Sequence, residues 1–264
     1  MDLGIAGKSA FVSGSTAGIG FAIAASLAAE GASVTINGRT QSRVDEGLAA
    51  LRARNLAGKV DGVAADLTTA EGLDIVLKAL PEADIVINNL GIFEPKPFLE
   101  IPDEDWRRFF EVNVLSGVRC ARAYLPGMVA RGWGRLVFIS SESGLQIPSE
   151  MIHYGMTKTA QLAVARGIAE SVAATGVTVN SVLPGPTASE GVSGFVDDLA
   201  RTQGKDRQAV EADFFREMRP SSLIKRFATP EEVAALVTYV CSVQASATTG
   251  ASLRVDGGVL RSIA

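Results

Sequence analysis

The sequence predicts an α/β protein in which helices cover both faces of one parallel, doubly wound sheet. Seven short apolar segments, partly β-branched, alternate along the 264 residues with segments of helical period. Glycine or polar residues follow these apolar segments, as they do where parallel strands end at a ligand-binding edge. Because no linker, repeat or low-complexity stretch divides the chain, we expect a single domain over residues 1–264.

The composition narrows the class of protein. Hydrophobic residues make up 47% and charged residues 20%, which is typical of a globular chain with a sizeable core. A net charge of −4 argues against a nucleic-acid partner and against a basic membrane-binding surface. No apolar run approaches the ~18 residues of a membrane span, and the N-terminus lacks a secretory pattern. We therefore expect no membrane association.

The cysteines and the histidine bear on localisation and metal binding. Cys120 and Cys241 stand at no metal-ligand or redox spacing, and they suit a reducing compartment. This predicts a cytoplasmic protein. With His153 as the one histidine, a multi-histidine metal site is not expected, and we predict no metal.

The first strand, predicted over Lys8–Ser13, leads into a glycine-rich turn and an apolar helix over Phe21–Glu30. The turn reads Gly14-Ser15-Thr16-Ala17-Gly18-Ile19-Gly20. Glycines permit a tight turn and a close backbone approach, and the N-terminus of the helix attracts a pyrophosphate. This pattern favours dinucleotide binding. The alternative is an ordinary strand–helix turn that needs its glycines for packing.

The second strand, predicted over Ser33–Asn37, is followed by Gly38-Arg39-Thr40. In dinucleotide folds an acidic residue here binds the ribose 2′-OH, whereas an arginine accommodates a 2′-phosphate. No acidic residue occurs between Ser33 and Arg43, so Arg39 favours NADP(H) over NAD(H). The alternative is that Arg39 is a solvated loop residue.

The central segments continue the alternation of strands and helices. A helix is predicted over about Arg43–Leu56, and Thr68 with Glu71 forms a capping box that begins the next one. A long helix is predicted over Trp106–Ala130, with Asn113 near its middle. The strands between them are Val60–Ala65, which ends at Asp66-Leu67, and Asp84–Asn88, which ends at Asn89-Leu90-Gly91.

The C-terminal half follows the same rhythm with one interruption. Strands are predicted over Arg135–Ser140, Val177–Leu183 and Ser252–Asp256, and helices over about Ile152–Ala174 and Thr229–Ser242. The sixth strand ends in Pro184-Gly185-Pro186-Thr187. An excursion of the size of residues 188–222 after a strand is more typical of a substrate lid than of a connector.

Tyr154 and Lys158 are four residues apart in a helical segment, and they therefore share one helix face. A nearby ammonium favours the phenolate and lowers its pKa, so the pair is a candidate proton donor. Taken alone, the spacing also fits two surface residues. The rest of the sequence favours a catalytic role for the pair, because several polar or glycine residues follow strands and should converge on one crevice. These residues are Gly14, Arg39, Asp66, Asn89, Ser141 and Pro184.

From Lys8 to Gly258 the chain resembles the short-chain dehydrogenase/reductases of the Tyr-x-x-x-Lys type. The resemblance implies a Rossmann-like fold and NAD(P)-dependent chemistry on CH–OH and C=O groups. Its motifs are Gly14-x-x-x-Gly18-x-Gly20, Asp66, Asn88-Asn89-x-Gly91, Asn113, Ser141 thirteen residues before Tyr154, Lys158, and Pro184-Gly185.

The resemblance also implies a role for each matching residue. Tyr154 would be the general acid or base, and Lys158 would bind the nicotinamide ribose and lower the pKa of Tyr154. Ser141 would hold the substrate oxygen, and Asn113 would hold a water that relays protons. The cofactor contacts would be Ser15, Thr16 and Ile19 with the pyrophosphate, Asp66 and Leu67 with the adenine, Asn89 and Gly91 with the adenosine ribose region, and Thr187 with the carboxamide.

Three readings of the function follow. The first is an NADP(H)-dependent reductase of a ketone or aldehyde, or the corresponding alcohol dehydrogenase. The second is a 3-oxoacyl-[acyl-carrier-protein] reductase, for which Arg131 would be a basic contact although Thr175 stands where such enzymes carry a basic residue. The third is a non-catalytic NADP-binding scaffold or sensor.

The candidate walls of the substrate site favour a small hydrophobic carbonyl compound. They are Phe93, Ser143, Leu145, Gln146, Ile147, His153, Phe195 and Phe214. The acids Glu94, Glu142 and Glu150 are expected to face solvent. The alternative is that they select a cationic or hydroxylated substrate. His153 is expected to be structural or interfacial. The helices predicted over Trp106–Ala130 and Ile152–Ala174 are apolar around much of their circumference. One face of each should meet the sheet and the other a neighbouring subunit, which predicts a homotetramer or a dimer.

Overall fold

The computed structural model describes residues 2–263, apart from the side chains of residues 195, 198, 199 and 203. Its centre is a seven-stranded sheet in the order β3-β2-β1-β4-β5-β6-β7, and every neighbouring pair is parallel. The doubly wound sheet predicted from the sequence is therefore confirmed. The strands are β1 (Ser9–Val12), β2 (Ser33–Gly38), β3 (Val60–Ala64), β4 (Ile85–Asn88), β5 (Gly134–Ile139), β6 (Val177–Pro184) and β7 (Ser252–Val255).

The helices lie on both faces of this sheet. Those outside residues 188–222 lie within a few residues of their predicted positions, whereas the two helices within that segment were not predicted. The helices are α1 (Gly18–Ala29), α2 (Gln41–Arg52), α3 (Ala70–Ala79), α4 (Asp103–Phe110), α5 (Ser116–Ala130), α6 (Ile152–Ser171), α7 (Glu190–Gln203), α8 (Arg207–Glu217) and α9 (Pro230–Val240). None of the helices in residues 2–263 is long and apolar enough to cross a membrane.

Two hydrophobic cores lie on opposite faces of the sheet. In β1, Val12 belongs to the core shared with α1, α2 and α9, while its neighbour Phe11 belongs to the core shared with α3, α5 and α6. Successive side chains of a strand point to opposite faces, so a sheet covered on both sides needs apolar residues at every position. This explains why the central strands read as continuous apolar runs.

The strand order reverses between β1 and β4. The chain first builds outward from β1 to β2 and β3, and it then returns to place β4 on the other side of β1. The connections leaving β1 and β4 diverge at this point and open a crevice at the carboxyl edge of the sheet. The glycine turn after β1 and the Asn88-Asn89 segment after β4 both begin there.

The long helix predicted over residues 106–130 is interrupted by one π-helical turn, Glu111–Leu115, between α4 and α5. Asn113 lies in this turn and is buried at 1% exposure. Its Oδ1 accepts a hydrogen bond from the backbone N–H of Ile92, and its Nδ2 donates to the carbonyl of the same residue. A wider turn suits a side chain that binds a neighbouring strand connection, and such turns are frequent at functional sites.

The predicted cap of α3 is one residue out. Thr69 is the N-cap, and its hydroxyl accepts from Gly72 N–H at 3.0 Å. The hydroxyl of Thr68 instead donates to Asp66 Oδ1 at 2.8 Å. Thr68, which the sequence pattern assigned to the helix cap, is therefore bound to Asp66 instead. A capping box of Thr229 and Glu232 is present at the start of α9.

Residues 188–222 contain two helices, α7 and α8, that pack on a small apolar cluster of their own. The cluster consists of Val196, Val210, Phe215 and Phe227. Phe227 stacks against Phe215 and Phe214, with both ring centroids 5.1 Å away. This lid segment is therefore held together by contacts separate from the two cores of the sheet.

Candidate active site

A cavity of about 400 Å³ lies at the carboxyl edge of the sheet, where the crevice was expected. Three regions contribute to it: the start of α1, the connections after β4, β5 and β6, and the lid segment. Tyr154 and Lys158 of α6 complete the lining. The lining includes Gly18, Ile19, Gly20, Asn89, Gly91, Phe93, Ser141, Glu142, Ser143, Glu150, Tyr154, Lys158, Pro184, Gly185, Thr187, Glu190, Phe214 and Arg219.

The glycine turn presents the N-terminus of α1 to this cavity. Gly14 and Gly18 have φ angles of 57° and 59°, in the left-handed region that favours glycine. A Cβ on Gly20 would lie 2.5 Å from Asn89 Nδ2, so no larger residue fits there. The Nδ2 group of Asn89 donates to the carbonyls of Ser13 and Gly14, and it thereby fixes the turn to the end of β4.

The first turn of α1 has the properties of a pyrophosphate site. Within the described chain, the N-cap Ala17 makes no side-chain capping bond, and the first turn holds no acidic residue. The N–H groups of Gly18, Ile19 and Gly20 therefore face the cavity as donors for an anion. Ser15 contributes only indirectly, because its buried hydroxyl donates to the Val12 carbonyl and accepts from Asn37 N–H.

Arg39 follows β2, and Asp66 and Leu67 follow β3; none of the three belongs to the lining of the cavity. Two hydrogen bonds from Thr68 lower the pKa of Asp66, and the positive charge of Arg39 lowers it further. Arg39 is exposed and can turn toward a ligand. Leu67 is buried at 1% exposure, so only its backbone is available to an adenine. Thr16 packs against Gly38, where an added Cβ would lie 2.6 Å from its Cγ2.

The connection after β6 forms the opposite wall. A Cβ on Gly185 would lie 2.5 Å from the Asp256 carbonyl, so this position holds two chain segments in close contact. Thr187 is buried, and its hydroxyl donates to the carbonyl of Gly185 at 2.9 Å. Together with Gly91 across the crevice, these residues line the part of the cavity nearest to Tyr154 and Lys158.

Lys158 is buried beneath Tyr154. Its Nζ donates to the Ile139 carbonyl at 2.9 Å and to Gln161 Oε1 at 3.3 Å, and it lies 5.6 Å from the centroid of the Tyr154 ring. Burial lowers the pKa of Lys158 to about 7. The expectation that Lys158 lowers the pKa of Tyr154 is wrong. Burial raises the pKa of Tyr154, Glu142 raises it further, and Ser141 and Arg219 oppose the shift.

Asn113 and Lys158 are linked through Gln161, which the sequence did not indicate. Gln161 Nε2 donates to the Asn113 carbonyl at 2.6 Å while its Oε1 accepts from Lys158. The side-chain amide of Asn113 forms hydrogen bonds with the backbone of Ile92 and with the hydroxyl of Thr157. Gln161 lies one helical turn after Lys158, and that spacing is the one signal that could have identified it.

Glu142 does not face solvent, which corrects the sequence-based expectation. Its side chain is buried beside Ser141, whose hydroxyl donates to Glu142 Oε2 at 2.5 Å. The backbone N–H and the hydroxyl of Ser143 donate to the same oxygen. Arg219, from the end of the lid segment, donates from Nε to Glu142 Oε1 at 2.9 Å. A charged pair therefore stands next to the predicted substrate-binding serine.

Glu150 completes this charged group. Its Oε1 accepts from Arg219 Nη1 at 3.2 Å, and the residue lines the cavity. Burial opposes the charge of Arg219, but Glu142 and Glu150 outweigh it and raise the pKa of the guanidinium. The expected wall of mostly apolar residues is thus wrong for the side next to Ser141. Arg219 was missed because its partners are far away in the sequence.

The remaining predicted wall residues divide into two groups. Phe93 and Phe214 line the cavity, whereas Leu145, Gln146 and Ile147 are exposed and lie outside its lining. His153 is fully buried between Trp106 and Phe109, with the Phe109 ring centroid 4.0 Å away, as expected for a structural residue. Glu94 pairs with Arg108 and Lys96 away from the cavity. The side chain of Phe195 lies outside the described residues.

Comparison with known proteins decides the family. The family model described as enoyl-(acyl carrier protein) reductase matches residues 14–260. The chain is 47% identical to the uncharacterized oxidoreductase YvaG of Bacillus subtilis over 263 residues, which cover both chains in full. The chain belongs to the short-chain dehydrogenase/reductase family. It is also 33% identical to the D-beta-hydroxybutyrate dehydrogenase of Rhizobium meliloti, over 95% of this chain and 98% of that protein.

Among solved structures, the fold matches L-sorbose reductase from Gluconobacter frateurii complexed with NADPH and L-sorbose. The TM-score is 0.94 at 33% identity, and both chains are covered in full. Membership of the family makes this short-chain dehydrogenase/reductase an oxidoreductase that acts on CH–OH or C=O groups. The scaffold or sensor reading is thereby set aside.

Proposed function

We propose that this enzyme reduces a ketone or aldehyde with NADPH, or oxidises the corresponding alcohol with NADP⁺. One observation carries the proposal: the hydroxyls of Tyr154 and Ser141 meet in the same cavity that the N-terminus of α1 enters. The first group can donate a proton, the second can hold an oxygen that gains negative charge, and the third can bind a diphosphate.

The roles of the chain's own residues follow from these positions. When bound, the nicotinamide supplies or accepts the hydride. Tyr154 Oη gives its proton to the substrate oxygen in reduction and takes it back in oxidation. Ser141 Oγ turns its proton from Glu142 Oε2 to the same oxygen and stabilises the charge that develops there. Tyr154→Phe with NADPH and a panel of carbonyl compounds tests this assignment, because it removes the proton donor and leaves the ring.

Lys158 and Asn113 serve the proton on Tyr154. Lys158 Nζ lies under the phenol ring, and its pKa of about 7 suits a group that exchanges protons at neutral pH. The hydrogen bond from Gln161 to the Asn113 carbonyl holds α6, which carries Lys158, against the π-helical turn. We propose that Lys158 also binds the nicotinamide ribose, and that a water held near Asn113 relays protons toward solvent.

NADP(H) is the proposed cofactor. Supporting observations are the neutral residues at the end of β2, the exposed position of Arg39 and its proximity to Asp66. The residues assigned to its binding are Gly14, Ser15, Thr16, Gly18, Ile19, Gly20, Arg39, Asp66, Leu67, Asn89, Gly91, Tyr154, Lys158, Pro184, Gly185 and Thr187.

Binding of NADPH and NADH by the wild type and by Arg39→Ala tests the cofactor. One charge-assisted contact to the 2′-phosphate is worth about 1.5–3 kcal/mol, so Kd for NADPH should rise about 10- to 100-fold. Kd for NADH should stay as it is. Arg107→Ala, which removes an exposed guanidinium from α4, is the matched control. Equal binding of both cofactors by the wild type would refute the NADP assignment.

The reductase of 3-oxoacyl groups on acyl carrier protein is not favoured by a specific observation. An acidic carrier needs a free basic surface near the cleft. Arg131 is engaged by Glu82, Asp84 and the carbonyl of Ala83. The hydroxyl of Thr175 donates to the carbonyl of Val172. A small free substrate therefore fits better than a carrier-bound one.

The names of the relatives give two directions for that substrate. One relative is a dehydrogenase of D-beta-hydroxybutyrate, a hydroxy acid, and one is a reductase of L-sorbose, a neutral ketose. We propose a small polar carbonyl compound as the substrate. A screen of NADPH oxidation with ketoses, keto acids and simple diketones tests this proposal.

We further propose a single domain whose residues 188–222 close over the substrate, in a cytoplasmic homotetramer or dimer. The separate apolar cluster of the lid segment and the buried free thiols of Cys120 and Cys241 support this arrangement. Light scattering after size-exclusion chromatography measures the assembly. Limited proteolysis with and without cofactor and substrate should show protection confined to residues 188–222.

A further inference from the structure

We propose that Glu142, Arg219 and Glu150 form a subsite that selects a neutral, multiply hydroxylated carbonyl substrate and rejects one that carries a carboxylate. The inference rests on the proposed function, because it names the substrate of the same site. It comes from a charged group that no cofactor role accounts for. The three side chains line the cavity beside Ser141 and Tyr154, where the body of a substrate must lie once its carbonyl oxygen meets both hydroxyls.

Arg219 is a poor receptor for an anion, because both carboxylates of the subsite already balance its charge. Its Nε donates to Glu142 Oε1 at 2.9 Å and its Nη1 to Glu150 Oε1 at 3.2 Å. Nη1 also donates to the carbonyl of Met218 at 2.8 Å. A substrate carboxylate would have to compete with two fixed carboxylates for one guanidinium.

The charge balance of the cavity points the same way. The ionisable residues of its described lining, besides Tyr154, are Glu142, Glu150, Glu190, Lys158 and Arg219. The three carboxylates outnumber the two cations even when Lys158 is protonated. Because its pKa is lowered, only part of the Lys158 population is protonated at neutral pH. Glu190 shares Arg43 outside the cavity. With Glu190 paired in this way, the pocket has no excess of positive charge to attract an anionic substrate, and the carboxylates of Glu142 and Glu150 beside Ser141 disfavour its binding.

Hydroxyl groups, by contrast, match what the subsite leaves open. Among the described residues, Arg219 Nη2 has no hydrogen-bond acceptor and Glu150 Oε2 has no donor. Glu150 is the more accessible of the pair, with 31% of its side chain exposed. A hydroxyl group donates and accepts at once, so it can serve both atoms. An alkyl chain would leave them unpaired, and a carboxylate could only accept.

Glu142 has a different part in the subsite. Its oxygens already accept from Ser141, Ser143 and Arg219, which uses the capacity of a carboxylate. It orients Ser141 and holds Arg219 in place, so it is a positioning residue. Glu150 is the specificity-determining residue, because it combines a pocket-facing oxygen with partial exposure. The test therefore rests on Glu150.

The experiment compares substrates that differ in one group. L-Sorbose and 5-keto-D-gluconate share their hydroxyls and their ketone, but the second carries a carboxylate in place of one hydroxymethyl group. We expect kcat/KM with NADPH to favour the ketose at least about tenfold, the size of one unfavourable charge in a partly solvated pocket. In Glu150→Gln the ratio should fall about tenfold, through a higher KM for the ketose and a lower one for the keto acid.

Glu217→Gln is the matched control, because Glu217 lies at the end of α8 with 67% of its side chain exposed and pairs with Arg216 outside the cavity. The ratio should be the same as in the wild type. Equal or better use of the keto acid by the wild type, or an unchanged ratio in Glu150→Gln, would overturn the proposal. The first result would leave Arg219 as an anion receptor that releases Glu150.

Two further measurements separate this inference from the proposed function. Turnover of any carbonyl compound with NADPH reports the reaction by itself, so its complete absence with ketoses, keto acids and 2,3-hexanedione alike counts against the proposed function. Calorimetric binding of D-glucitol and D-gluconate to the enzyme saturated with NADPH, with which these alcohols cannot react, reports the subsite without turnover. Tighter binding of D-glucitol supports the subsite even if no carbonyl compound is reduced, and tighter binding of D-gluconate refutes it.

Discussion

Replacing Arg219 by Met should destabilise the fold strongly, because it strips a buried carboxylate of its counter-charge. The side chains of Arg219 and Glu142 are only 9% and 5% exposed, and the Nε–Oε1 distance is 2.9 Å. Removing one partner of a buried ion pair costs about 3–5 kcal/mol. Ser141 and Ser143 still donate to Glu142 in the variant, which retains part of its solvation. We therefore expect a loss of about 3 kcal/mol in the free energy of unfolding, out of a typical ~5–15 kcal/mol.

A double-mutant cycle makes this expectation specific to the pair. Glu142→Gln/Arg219→Met leaves no uncompensated charge, so its loss should be about 2 kcal/mol smaller than the sum of the single losses. Urea unfolding followed by circular dichroism measures each value. Arg226→Met is the control, because its pair with Glu232 is about half exposed and a solvated pair contributes little to stability. Equal losses for Arg219→Met and Arg226→Met, or strict additivity in the cycle, would refute the reasoning.

Three further outcomes are expected. Tyr154→Phe should lower kcat at least about 100-fold in steady-state assays, since it removes the proton donor, while Kd for NADPH changes little. Burial lowers the pKa of Lys158 to about 7, so between that pH and its unfolded value near ~10.4 the unfolded chain binds more protons. Wild-type stability should therefore rise with pH in this window by up to about 1.4 kcal/mol per unit relative to Lys158→Met, and parallel urea titrations should show no such difference if the lysine is ordinary. Burial raises the pKa of Cys120 and of Cys241 to about 12, so Ellman's reagent at pH 8 should label neither thiol until urea unfolds the chain, and fast native labelling would contradict their burial.

The sheet could be predicted because its strands obey a simple rule. A parallel strand covered on both faces needs apolar residues, and residues 85–87 and 136–139 meet that need without exception. The π-helical turn around Asn113 could not be predicted. One widened turn changes the hydrophobic period of a long helix too little to be seen, and its cause is a hydrogen bond to Ile92, 21 residues away.

The candidate site divides in the same way. The motif residues could be found because each follows a strand or occupies one face of α6, and parallel strands end at one edge. The contact between Glu142 and Arg219 joins residues 77 positions apart. No local spacing marks such a pair, and an acidic residue is ordinarily on the surface. The raised pKa of Tyr154 was missed for the same reason, since it depends on burial and on Glu142.

The separate apolar cluster of the lid segment has a consequence for how this enzyme can change. Because α7 and α8 rest on Val196, Val210, Phe215 and Phe227, and not on the cores of the sheet, substitutions there need not disturb the cofactor platform. Selection or a designer can thus exchange the substrate-recognising part of the molecule as a module. The exchange has one constraint: the new segment must still deliver a cation to Glu142, or the platform is left with an unpaired charge.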